Sequence, residues 1–189
     1  MTQHTGTEDD VVTLLKRQHV RIRELFDEMT SATGERRRVV FRELVRMLAM
    51  HETAEEEVVH PAARRAFEQG PQVVDARLVE ERSAKEMLSR LDRMDIDDPD
   101  FAPQLTALRQ AVLDHADAEE RLEFPLLSEG MPADRLARMA KAVRAAEKMA
   151  PTHPHPGVES MAANLTVGPF AALMDRTRDA VRKVMGKED

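Results

Sequence analysis

Apolar residues recur at alternating three- and four-residue intervals through most of the chain, the spacing of one face of an α-helix. One series runs Leu15, His19, Ile22, Phe26, Met29; a second runs Phe41, Leu44, Leu48, His51, Glu55, Val58. A third runs Val74, Leu78, Glu81, Ala84 or Lys85, Leu88, Leu91, and a fourth Leu105, Leu108, Val112, His115, Glu119, Leu122, Leu126. Boundary residues divide these series into helices. Thr7, followed by acidic residues, reads as an N-cap for a helix over 8–30. Gly34 separates it from a second helix over 35–60, which Pro61 is expected to kink or end. Gly70-Pro71 opens a third over 72–95, and the loop DIDDPDFAP leads to a fourth ending near 128. A fifth, over 133–149, follows EGMP. No stretch alternates as a strand does, so the pattern predicts an all-α bundle.

Residues 150–168 contain prolines and no periodicity, and read as a linker. Beyond it, Phe170, Leu173, Met174, Thr177, Val181, Val184 and Met185 share one face of an amphipathic helix over 169–186. That face fits docking onto the bundle, or a protein partner or membrane surface.

Every long series is interrupted near its middle by ionisable residues: His19; His51 and Glu55; Glu81; His115 and Glu119. An unpaired buried carboxylate is so costly that such groups are paired, neutralised or metal-bound. Three His and three Glu against one candidate cation, Lys85, leave a surplus of negative charge that a dinuclear metal site would absorb. Residues four apart share a helix face, so His51 with Glu55 and His115 with Glu119 each form a two-ligand clip. Mixed nitrogen and oxygen donors suit iron, with manganese or zinc as alternatives.

Composition narrows the field. The chain has 189 residues, a net charge of −7 and no Cys, Trp or Tyr. The acidic balance argues against a nucleic-acid partner, and the missing thiols exclude disulfides, thiolate ligands and thiol catalysis. The N-terminal MTQHTGTEDD lacks the features of a signal peptide and no apolar run reaches bilayer length, so a soluble cytoplasmic protein is expected. His60 lies off the helical series and reads as a surface or helix-end residue. Glu56, Glu57, Glu120 and Glu123 read mainly as a solvated face, with support behind a ligand as the alternative for one of them; His153 and His155 read as solvated linker residues, His4 as part of a disordered start, and the methionines as core filler.

The stretches MHETAEEEVVHP (50–61) and DHADAEERLEFP (114–125) repeat one pattern: His, Glu four residues on, another Glu, and Pro ten after the His. With His19 upstream, this resembles the hemerythrin-like HHE cation-binding domains over roughly residues 8–130. The resemblance implies an antiparallel four-helix bundle. Together with the periodicity this divides the chain into residues 1–149 as the metal-binding bundle, 150–168 as linker and 169–189 as the terminal amphipathic helix, so that additional C-terminal helices follow the bundle. It implies a non-heme centre of two iron ions, oxo- or hydroxo-bridged, held by His19, His51, Glu55, Glu81, His115 and Glu119, and meeting O2, hydrogen peroxide or nitric oxide. Oxygen carriers of the family place two histidines on the third helix, where this chain has Glu81 and Lys85. A carboxylate there favours ferric iron and weakens reversible O2 binding. The expectation therefore moves to peroxide or redox chemistry, with an O2-, nitric oxide- or iron-sensing module, its output through the C-terminal helix, as the alternative.

Overall fold

The computed structural model describes residues 10–149 and 169–186, so Thr7, His4, His153, His155 and the 150–168 linker lie outside the described residues. Eight α-helices are described: α1 Val11–Ser31, α2 Gly34–Ala54, α3 His60–Ala66, α4 Gly70–Leu91, α5 Phe101–Ala118, α6 Phe124–Gly130, α7 Ala133–Met149 and α8 Pro169–Val184. Two π-helical turns join consecutive helices end to end: π1, Glu55–Val59, between α2 and α3, and π2, Glu119–Glu123, between α5 and α6. The second and fourth helices of the sequence reading are thus each three pieces long. The first begins at Asp10, whose side chain accepts from the Thr13 amide.

The four segments α1, α2–π1–α3, α4 and α5–π2–α6 form an antiparallel bundle. Their packing shows the alternation of direction: the core divides into two clusters, and the chain crosses from one to the other four times. One cluster holds Ile22–Met29, Val40–Ala49, Ala84–Leu91 and Phe101–Val112; the other holds Val11–Leu15, Ala54–Ala63, Val74 and Phe124–Leu127. The ionisable residues occupy the layer between them. Gly70 makes the sharp α3–α4 corner, where an added Cβ would collide with the Ala63 carbonyl oxygen.

Helix α7 packs along α1, and α8 lies on α2 and α7. The apolar face of α8 is covered by the bundle: Phe170 and Met174 join one core cluster and Val181 the other, while Met185 is partly exposed. The Val184 side chain lies outside the described positions. Among the described residues, no helix is long and apolar enough to cross a membrane.

The two π turns explain where the periodic reading fails. At each, the backbone N–H five residues on closes the turn, His60 onto the Glu55 carbonyl and Phe124 onto the Glu119 carbonyl. One extra residue enters the turn, and every later side chain rotates relative to the α-helical register. Leu122, expected in the core, is 55% exposed and Leu126 is only half-buried, whereas Glu123, Phe124 and Leu127 are buried. Pro61 and Pro125 end neither helix. Each is the second residue past the widened turn, where its missing N–H and its ring meet a carbonyl ladder already interrupted.

Candidate metal centre

All six residues of the expected ligand set lie in the layer between the cores, and none is more than 5% exposed. They fall into two overlapping groups. His19, His51, Glu55 and Glu119 bring one donor atom each to within 4.8 Å of one another, as do Glu55, Glu81 and His115. The carboxylates of Glu55 and Glu119 span the two sides. Glu119 Oε2 lies 3.3 Å from His19 Nε2, and its Oε1 lies 3.3 Å from His115 Nε2. Glu55 Oε1 lies 3.3 Å from His51 Nε2, and its Oε2 lies 4.0 Å from His115 Nε2.

Each ring is aimed from behind. Nδ1 of His19 bonds Glu120 at 2.8 Å, that of His51 bonds the Gln18 side-chain oxygen at 2.8 Å, and that of His115 bonds Glu80 at 3.0 Å. A carboxylate or amide oxygen can only accept, so in each ring Nδ1 carries the proton and Nε2 of the neutral form presents a lone pair inward. Supporting acceptors of this kind fix the tautomer and orientation of metal-binding histidines. Glu120 is held in turn by Arg23, and Glu80 by Arg77 at 2.9 Å. Helix α7 joins in through Glu147, which accepts from Gln18.

The donor atoms fit a bound cation. Both oxygens of Glu55, both of Glu119 and Nε2 of His115 are buried without a hydrogen-bond partner. His19 Nε2 and His51 Nε2 stand 3.0 Å apart, and in neutral rings two lone pairs at that distance need a proton or a cation between them. Buried groups left this way cost on the order of 1–3 kcal/mol each, more when charged, so the arrangement suits a ligand that accepts electron pairs.

The Hemerythrin HHE cation binding domain matches residues 10–127 of this sequence. The chain belongs to that family. Hemerythrin-like domains bind metal ions, typically iron, and small molecules. A hemerythrin-like protein of Schizosaccharomyces pombe is 32% identical over 138 residues, 72% of this chain and 68% of that one. A DNA nickase of Nostoc is 23% identical over 150 residues, but the match spans only 42% of its length. The crystal structure of a hemerythrin HHE cation binding domain-containing protein from Mycobacterium kansasii superposes with a TM-score of 0.67 at 22% identity, covering 89% of this chain and 98% of that one, and shows the same fold.

In this hemerythrin-family chain, charge is divided unequally across the metal-free layer. Burial pushes Glu55 well above the ordinary carboxylate range, and the nearby charge of Glu119 pushes it further. Burial acts on Glu119 too, but the charge of His115 and the close approach of the His115 and His19 rings outweigh it and hold Glu119 well below that range. Two such carboxylates in one dry site do not ionise together, and the one nearer the imidazolium ionises first. His51 is pushed well below its usual value by burial and by His19. His115 is raised well above, because Glu119, Glu55 and Glu80 outweigh its burial.

His60 and Glu123 overturn the sequence reading. Neither is solvated: His60 is 2% exposed and Glu123 fully buried. The π turns carry both inward. His60 Nε2 lies 2.5 Å from Glu81 Oε1, and its Nδ1 lies 3.2 Å from Glu123 Oε1. Burial alone would lower the His60 pKa, but these two carboxylates raise it to about 11. Glu81 also makes the i, i+4 ion pair with Lys85, at 3.1 Å, and it is held below its ordinary value: burial is outweighed by the His60 hydrogen bond and the Lys85 charge. Nothing in the spacing of Gln18, Glu80 or Glu52 marks them as partners of the site. Glu52, next to His51, is buried 3.5 Å from Lys85, and burial together with the charge of Glu81 lifts it to about 7. A Pro inside a helix that nevertheless continues, found twice at one spacing, was the available sign of the register change.

Proposed function

We propose that this layer binds two iron ions and that the protein uses them for redox chemistry on a small oxidant, hydrogen peroxide first. The observation that carries the reading is the pair Glu55 and Glu119, which present unpartnered oxygens to both sides of the cluster, as bridging carboxylates would. His19 and His51 would serve one ion, and His115 with Glu81 the other. Bound iron would supply electron transfer and Lewis acidity. The chain's own part is to hold the donors, fix the ring tautomers through Gln18, Glu80 and Glu120, and exclude water with an apolar core on either side.

The setting suits a very small reactant. A cavity of about 10 Å3, room for one water-sized molecule, lies against Glu52 and Lys85 and is otherwise lined by Leu48, Ala84, Leu88, Leu108, Val112 and Phe170. The Lys85 side chain is 21% exposed and its Nζ bonds Glu56 and Glu81, so a protonated group stands at this edge of the layer. Glu81 in place of an imidazole adds an anionic oxygen donor, which favours ferric iron over reversible O2 carriage.

A second reading is a sensing module. Arg178 and Arg182 of α8 pair with Glu57, and Arg178 also with Glu56, so α8 grips the π1 turn that begins at Glu55. A change at the metal would have a short path to that helix.

The iron-loaded full chain separates these readings. Elemental analysis is expected to give two irons per chain, and one or none ends the dinuclear assignment. Peroxide is expected to release oxygen over many turnovers, whereas a single stoichiometric oxidation would transfer the assignment to the sensor. Chelation is expected to lower the melting temperature, since metal bound only to the folded state stabilises it.

A further inference from the structure

Three imidazoles in the layer are each oriented by an acceptor behind them. His60 reverses the relation, because here an imidazole stands behind a carboxylate. It belongs to neither group of clustered donor atoms. Its Nε2 bonds Glu81 Oε1, and its Nδ1 bonds Glu123 Oε1. Glu123 is itself fully buried, with its second oxygen unpartnered. The ring thus lies, almost fully buried, between two buried carboxylates.

Glu81 needs such support. It is the one expected ligand on α4, so no clip partner four residues away helps aim it. Its other oxygen is held by Lys85, but that side chain is partly exposed and its ammonium divides itself among Glu52, Glu56 and Glu81. A flexible lysine shared three ways fixes a carboxylate less firmly than a buried planar ring held at both nitrogens. The backbone supplies the reach. In an uninterrupted α-helix the fifth residue after Glu55 would leave the ligand face, but π1 returns it to that face and opposite α4.

We propose that His60 is a positioning residue for Glu81, anchored by Glu123, so that a buried Glu123–His60–Glu81 relay aims the α4 carboxylate at the Glu55–His115 side of the cluster. This rests on the reading of Glu81 as a ligand. The relay ties α3, π2 and α4 to one donor atom.

The test uses the full chain loaded with iron, with two readouts: iron retained during dialysis against a chelator, and the near-ultraviolet charge-transfer bands, which a protein without Tyr or Trp leaves clear. Folding of each variant is followed by circular dichroism. E81A is expected to change both readouts. H60A is expected to shift the same bands and to weaken retention about 10-fold or more, the usual effect of losing an outer partner of a ligand. H60Q, which keeps one donor for Glu81, is expected to recover part of the loss. The double variant H60A/E81A is expected to be no worse than E81A alone, because the two residues act as one unit. An unchanged spectrum in H60A beside an altered E81A overturns the relay and leaves Glu81 a ligand. Additive losses in the double variant overturn it as well. An unchanged E81A overturns both readings together. If H60A fails to fold, H60Q and E123A decide on the same criteria: E123A frees the ring from behind and is expected to shift the bands in the direction of H60A, and unaltered bands in E123A and H60Q overturn the relay.

Discussion

Segments α2–π1–α3 and α5–π2–α6 are built alike and end differently. Each carries His and Glu four apart, then a five-residue turn, then Pro. In each the turn brings the fifth residue after the Glu back to the ligand layer. In the first segment that residue is His60, bonded to two carboxylates. In the second it is Phe124, stacked on His19 with ring centroids 5.6 Å apart and planes at 14°. One backbone device therefore buttresses a neighbouring ligand twice, once by hydrogen bonding and once by packing. The electrostatics diverge as well. Glu119 lies between His19 and His115 and is held ionised, whereas Glu55, beside the uncharged His51, is pushed towards its protonated form in the metal-free protein. Backbone geometry sets where a residue stands, and its chemistry decides what it does there.

The severest way to break the comparison is to remove the extra residue. Deleting Glu57 from π1, or Arg121 from π2, restores an unbroken α-helical ladder and turns the following helix out of register. Either deletion is expected to abolish iron loading and to cost on the order of 3–5 kcal/mol, as burying wrong side chains does. Iron content and a urea melt check it, and a deletion variant that loads iron normally would show that the turns are incidental.

Next in size is the aromatic buttress. Phe124→Ala is expected to destabilise the metal-free chain by about 3–5 kcal/mol, the usual cost of emptying an aromatic site in a core. It should also weaken iron binding through His19, whereas a loss confined to stability would make the stack on His19 mere packing.

The hydrogen-bonded buttress has a pH signature that the aromatic one lacks. The folded pKa of His60, about 11, stands above its ordinary 6.5. Its contribution is therefore fully present below pH 6.5 and is lost as pH rises towards 11. Between pH 7 and 9 the metal-free chain should lose up to about 1.4 kcal/mol per pH unit from this group, or roughly 2–4 °C in melting temperature per kcal/mol. H60Q should flatten that slope and Phe124→Ala should not; equal slopes in all three proteins would remove His60 from the account.

The smallest effect sharpens the register itself. Leu122 is 55% exposed and Leu127 fully buried. Leu122→Ala is expected to stay within about 0.5 kcal/mol of the parent, while Leu127→Ala costs about 2–5 kcal/mol. Thermal melts of the two variants suffice, and comparable losses would mean that the chain keeps α-helical register through π2.

Those two leucines also mark how far the sequence could be read. Up to Glu119 the 3.6-residue period places residues well: Leu15, His19, Ile22, Phe26 and Met29 are all buried, as are Leu105, Leu108, Val112 and His115. The bundle and the depth of its polar layer follow from such spacing, because hydrophobic burial selects one face of each helix. Beyond Glu119, and at His60 beyond Glu55, the same arithmetic points to the wrong face, although Val58 is buried as expected. A period carries no record of an inserted residue, so Leu122 looked buried and His60 and Glu123 looked solvated. The acceptors behind the rings were hidden for another reason. Gln18, Glu80 and Glu120 each sit next in sequence to an expected ligand or seam residue, on a flank where polar side chains are ordinary, and only the approach of a second helix gives them work. Lys85 was legible as the counter-charge to Glu81, although its sharing with Glu52 and Glu56 was not.

The ligand layer also governs how the molecule can come apart. Each of the four bundle segments enters it from one apolar cluster and leaves into the other, so neither end can peel away without carrying donors with it. A site at the tip of a bundle would let the far end keep its amide protection after the metal is withdrawn. Here the clasp is at the waist. Hydrogen exchange after chelation should quicken on both sides together, around Ile22 and Leu108 as much as around Val59 and Leu127, with no slow-exchanging half left behind.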